Sequence, residues 1–137
     1  MQSTDALFTQ ADLIASYTRA DALADGALID VSAIAREAGF RVPVAITAAA
    51  WADCVTWSDA DTKRQCYQDQ DGRLWDVLWM GFQGIRRTPN ASECRFALLR
   101  VPRGGRRRTP IQTSLRAVIG PGDAGEPVVT IMLPTED

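Results

Sequence analysis

Arg73-Leu74-Trp75-Asp76-Val77-Leu78-Trp79-Met80-Gly81-Phe82-Gln83-Gly84-Ile85-Arg86-Arg87 is the stretch that decides the fold. Leu74, Val77, Leu78, Gly81, Phe82 and Ile85 recur at steps of three and four, the spacing that lines one side of an α-helix. Trp75 and Trp79 add a second stripe one turn apart. Arg86 and Arg87 fall where cations suit a helix C-terminus. A short aromatic run such as 74–80 is also compatible with a strand, but the period favours helix. A helix apolar over so broad an arc reads as the central element of a core, with one edge, at Trp79, available to a partner.

Downstream of this helix the period changes. Arg95 to Val101 is β-like and closed by Pro102, and Gly104 to Arg108 is a loop. Ile111 to Ile119 alternates at Leu115, Ala117 and Ile119. The run Gly120-Pro121-Gly122-Asp123-Ala124-Gly125-Glu126-Pro127 is a dense turn signal, and Val128 to Leu133 is a last strand. Upstream, Ala11 to Ala24 has Leu13, Ile14, Tyr17 and Leu23 near helical spacing, with Gly26 past its end. Leu28 to Val31 is a short extended entry. Ser32 is an N-cap for a helix through Ala38 that Gly39 ends. Phe40 to Ile46 is extended at first because of Pro43, and Thr47 caps a helix from Ala48 to Val55. Residues 58–72 read as a polar loop with a helical turn near Thr62 to Tyr67, and Asp71-Gly72 is a turn signal. Met1 to Gln10 should fray. The expectation is a single α+β domain over 1–137, with N-terminal helices packed on a C-terminal three-stranded antiparallel β-meander.

The bulk numbers exclude much chemistry. The 137 residues suit one domain large enough to need no metal or disulfide staple. Without His there is no Ser-His-Asp triad, no Cys-His pair and no His-ligated zinc. Cys54, Cys66 and Cys94 are an odd number at wide spacing, which suits reduced thiols in a cytosol. No basic start followed by an apolar run marks a secretory signal, and Val42 to Ala52 is too short to span a bilayer. Net charge is −2, unevenly spread: residues 1–72 hold 5 basic and 11 acidic side chains, and 73–137 hold 10 basic and 6 acidic. Fourteen of the 15 cations are Arg, which suits bidentate phosphate or carboxylate contacts and equally records a GC-rich genome.

Three groups of residues are candidates for function. Arg103, Arg106, Arg107 and Arg108 lie together in a hairpin loop that could hold phosphates. A solvated surface loop is the simpler reading, because nucleic-acid modules are usually basic overall. Asp59, Asp61, Asp69 and Asp71 belong to the acidic half, which could mimic nucleic-acid phosphates toward a basic groove. Trp51, Trp57, Trp75 and Trp79 are rich for the length, and Trp is enriched where interfaces concentrate their energy. The glycine-rich loops match neither phosphate-binding fingerprint. Nothing in the spacing brings two carboxylates together for acid/base work. No cofactor or metal is expected.

The order Asp30-Val31-Ser32, Ala35-Arg36-Glu37-Ala38-Gly39-Phe40, Pro43-Val44-Ala45, Trp51-Ala52-Asp53-Cys54-Val55 resembles a family of small uncharacterised proteins from bacterial plasmids, phages and integrated elements. The resemblance runs on through Gly72 to Met80, Arg100-Val101-Pro102-Arg103 and Gly120 to Val128. It carries no catalytic residues to transfer, since the family is a domain of unknown function. It implies a setting, the accessory genes of mobile elements, where small proteins often blunt host defence. The expected function is therefore that of a non-enzymatic, cytoplasmic inhibitor that occupies a surface of a host defence complex, CRISPR effectors foremost. Partner-binding residues would be Trp79, the four Arg of the loop and the four Asp named above. The alternative is a nucleic-acid accessory protein using the loop 103–108. An enzyme using carboxylates and Arg on a small ligand ranks last.

Overall fold

The computed structural model describes residues 17–137. The expected fraying of 1–10, and the part of the expected helix 11–24 before Tyr17, lie outside the described residues; within them that helix starts only at Arg19, because Thr18 caps it by accepting from Asp21 N–H. In chain order the elements are α1 (Arg19–Asp25), β1 (Leu28–Asp30), α2 (Ser32–Ala38), β2 (Val44–Thr47), α3 (Ala48–Cys54), α4 (Asp59–Arg64), α5 (Gln70–Arg87), β3 (Glu93–Arg100), β4 (Ile111–Pro121) and β5 (Pro127–Met132).

The α+β class holds, but the sheet is larger than a meander. It has five strands in the order β1-β2-β5-β4-β3. β3, β4 and β5 form the expected antiparallel run. β2 then joins β5 in parallel, Val44 opposite Val129 and Ile46 opposite Ile131, and β1 closes the far side antiparallel to β2. The two extra strands are short, and β2 is covered on both faces, so Val44, Ala45 and Ile46 are all buried and show no alternation. The helices α2, α3 and α5 lie on the face carrying Ile46, Leu115, Ala117 and Ile131. On the opposite face Arg19 of α1 donates to Thr130 Oγ1 (2.7 Å) and to the Val129 carbonyl (2.9 Å).

α5 is the central helix. Leu74, Val77, Leu78 and Gly81 are buried as its period predicts, each large side chain contributing about 1.5–3 kcal/mol of apolar burial. Gly81 and Gly84 let it lie close on β3: a Cβ at Gly84 would sit 3.0 Å from Phe96, and one at Gly81 3.2 Å. The helix starts at Gln70, not at Arg73, because Asp69 caps it by accepting from Gly72 N–H (2.5 Å). The Asp71-Gly72 turn is therefore absent. Residues 59–64 form a helix as well, held by a reciprocal capping box between Ser58 and Asp61. Thr47 caps α3 as expected, accepting from Ala50 N–H. Ser32 does not cap α2. It is the first helical residue, its N–H donates to Asp30 Oδ1 (3.2 Å), and its hydroxyl donates to the same oxygen (2.6 Å).

Candidate functional site

The outer stripe of α5 stands away from the core. Trp75 is 37% exposed and Trp79 44%. One turn apart, their rings stack with centroids 6.1 Å apart and planes 16° from parallel. Beside them a hollow of about 490 Å³ is lined by Asp76, Trp79 and Met80 of α5, by Ala97, Leu98 and Leu99 of β3, and by Gln112. Three consecutive residues of one strand point alternately to its two faces. Gln112 of β4 pairs with Leu99, so the hollow takes in the edge of β3 and turns onto the sheet face that carries Ala97 and Leu99. Among the described residues β3 is the last strand of the sheet, so one of its edges has no strand beside it. Leu99 is 62% exposed there. A second hollow of about 430 Å³ continues from Asp76 past Trp75 toward Tyr67 and Asp69. Desolvation by the packed surroundings raises the Asp76 carboxyl above its ordinary range, against the pull of Arg73.

The Trp residues divide by element. Trp57 is buried; its Nε1 donates to Thr62 Oγ1 (3.1 Å), and the Arg73 guanidinium lies 4.6 Å from its ring centroid. Trp51 is half-buried against the core. Trp75 and Trp79 are the pair that meets solvent.

The Arg-rich loop between β3 and β4 is held from below. Gln65, buried at the end of α4, donates to the carbonyls of Pro102 (2.7 Å) and Arg107 (2.8 Å) and accepts from Gly104 N–H (3.0 Å). Buried Arg73 donates to the carbonyls of Val101 (2.9 Å) and Val55 (3.2 Å). Buried Asp61 accepts from Arg103 Nε (2.7 Å) and pairs with Arg64. These are the buried polar residues among the described residues, and all three act on this junction. Gly104 takes a positive φ of 94° at the tip, where a side chain would be strained. Arg106, Arg107 and Arg108 point outward and are exposed.

The expected site residues thus separate. Arg103 belongs to the clamp, whereas Arg106, Arg107 and Arg108 are displayed by it. Asp61 is an internal group. Burial alone would raise its carboxyl; hydrogen bonds from Ser58 and the Arg103 guanidinium outweigh that and hold it well below the usual range. Asp69 is exposed and serves as the cap of α5, while Asp59 and Asp71 are exposed charges. Sequence reasoning missed Gln65 and Arg73. Gln65 sends no signal from the sequence. Arg73 sits four residues before Val77, a cation in line with the apolar stripe, and that spacing could have flagged it.

Among the described residues no three His, Cys, Asp or Glu side chains converge as metal ligands. No helix among them is long and apolar enough to cross a membrane. The chain is an α+β domain with an aromatic groove between α5 and the edge of its sheet. The chain belongs to the family described as Family of unknown function (DUF6573), whose profile matches residues 4–137. No curated protein and no solved structure matches it.

Proposed function

We propose that this chain is a protein-binding module that docks its partner on the Trp75–Trp79 face of α5 and the neighbouring edge of β3. The observation that carries the reading is the exposed, stacked tryptophan pair beside an open strand edge. Large aromatic side chains left in water at a concave apolar surface are the common mark of an interface centre. The mobile-element setting implied by the resemblance makes a bacterial host defence complex the partner class to test first, with inhibition by occupying its surface. Tagged wild-type chain, Trp79→Ala and Leu99→Asp are used to capture proteins from a nuclease-treated host lysate. A stoichiometric partner retained by wild type and lost by both variants supports the reading, provided both keep wild-type circular dichroism. Retention by both variants overturns it.

A second reading has its own observation, the clamp of Gln65, Asp61 and Arg73 on the Arg-rich loop. A loop held in one shape loses less entropy on binding, which favours a display of Arg106, Arg107 and Arg108 to nucleic-acid phosphates. Nucleic-acid binding that falls steeply with salt and vanishes when those three are Ala supports it. No binding at low salt removes it.

A further inference from the structure

We propose that the groove between Trp79 and Leu99 receives an extended, basic peptide segment of a partner protein, added as a strand to the open edge of β3 with a Lys or Arg side chain set on Trp79 beside Asp76. The inference rests on the docking reading above and names the chemistry of the occupant.

The main chain supplies the first part of the argument. β3 is paired with β4 along all eight of its residues, and among the described residues nothing pairs its other side. Such an edge is a template for another strand unless proline or charged side chains block it, or it is covered or strongly twisted away; the charges of β3, Glu93, Arg95 and Arg100, lie outside Ala97–Leu99. β3 contains no Pro. The hollow follows the edge at Ala97, Leu98 and Leu99, and the helix wall at Trp79 and Met80 stands alongside it. An extended segment fits between a strand edge and a helix in this way. Its backbone supplies ladder hydrogen bonds, and alternate side chains meet the wall.

The side chains supply the second part. Among the described residues Asp76 is the one charged residue lining the hollow, and it enters no salt bridge. The adjoining hollow adds Asp69. The cation there, Arg73, is 4% exposed and turned inward to the Val55 and Val101 carbonyls. The surface offered to a ligand is therefore aromatic and anionic. A cation over an indole face gains about 0.5–2 kcal/mol, and a carboxylate within reach adds a charge-assisted hydrogen bond. A neutral or acidic segment gains neither. Exposed Arg95 lies further along β3; its repulsion confines the ligand's cation to the Asp76 end.

The test is selection of a displayed library of random decapeptides on the full chain, with selected peptides measured by the shift in tryptophan fluorescence. The expected result is enrichment of Lys or Arg flanked by β-branched residues. Binding should weaken about tenfold in Asp76→Asn and be lost in Asp76→Lys and in Trp79→Ala. Backbone amides of β3 should gain exchange protection on binding. Enrichment of acidic or neutral peptides, binding indifferent to Asp76, or no peptide that depends on Trp79 overturns the proposal. A dimer that Trp79→Ala dissolves also overturns it, by making a second copy the occupant. If the lysate partner depends on Trp79 while the peptides do not behave as stated, the docking surface stands and the basic-strand assignment falls. If neither depends on Trp79, both fall.

Discussion

The loop of the β3–β4 hairpin and the strand edge leading into it use opposite strategies. At the loop, residues 101–107, polar side chains are buried and every one of them holds backbone or an ion pair. At the edge of β3, apolar side chains are left in water, with Leu99, Trp75 and Trp79 all exposed. Both depart from the usual partition of side chains, and each departure costs free energy. The first uses that cost to fix a shape. The second leaves surface energy unspent, and that energy is available to a partner. A loop fixed but solvated and a groove open but apolar are different kinds of readiness, and they are separable by mutation.

The largest effect should come from opening the clamp. Gln65→Ala leaves two carbonyls and one N–H without their partner, at a cost of about 3 kcal/mol in a urea denaturation. Amide exchange of Gly104 should accelerate in the same variant. Wild-type stability with a mobile loop would show that the clamp shapes without stabilising. A smaller effect is expected from acid. The Asp61 carboxyl is depressed in the folded chain. Its contribution is therefore present above the ordinary carboxylate range, near about pH 4, and is lost as pH falls below it. Thermal unfolding of the wild type should weaken from about pH 4 downward, and Asp61→Asn, less stable at neutral pH, should flatten that part of the profile. Equal profiles would remove Asp61 from the account. The smallest effect concerns Cys54, beside the closed side. It is 1% exposed, and its thiol is pushed up to about 12 by burial first and by Asp53 second. At pH 8, with a disulfide reagent and intact fold, Cys54 should react last of the three thiols. Rapid labelling of Cys54 would mean that this side opens readily.

The buried face of α5 was legible because Leu74, Val77, Leu78 and Gly81 keep one period and one environment. The antiparallel run β3–β4–β5 was legible because β3 and β4 alternate, β5 is a short apolar run, and glycine and proline separate the three. β1 and β2 were not, since β2's parallel partner lies more than eighty residues away and a short strand buried on both faces has no alternation. Residues 58–72 looked like a loop because they are polar, yet Ser58 and Asp61 carry a capping-box spacing that encodes α4. For the groove, the sequence placed Trp79 on a stripe of α5 and offered it to a partner. What makes it a groove is the edge of β3, twenty residues on, which only the sheet order supplies. The acidic set was misleading at Asp61, because an ion pair made across forty-two residues leaves no local pattern.

The central claim is that the tryptophan groove, not the arginine loop, holds the partner. The direct measurement is capture from one nuclease-treated lysate by three chains: wild type, Trp79→Ala, and the triple change Arg106→Ser, Arg107→Ser, Arg108→Ser. The account predicts a partner retained by wild type and by the loop variant and lost by Trp79→Ala. Retention by Trp79→Ala together with loss by the loop variant would contradict it.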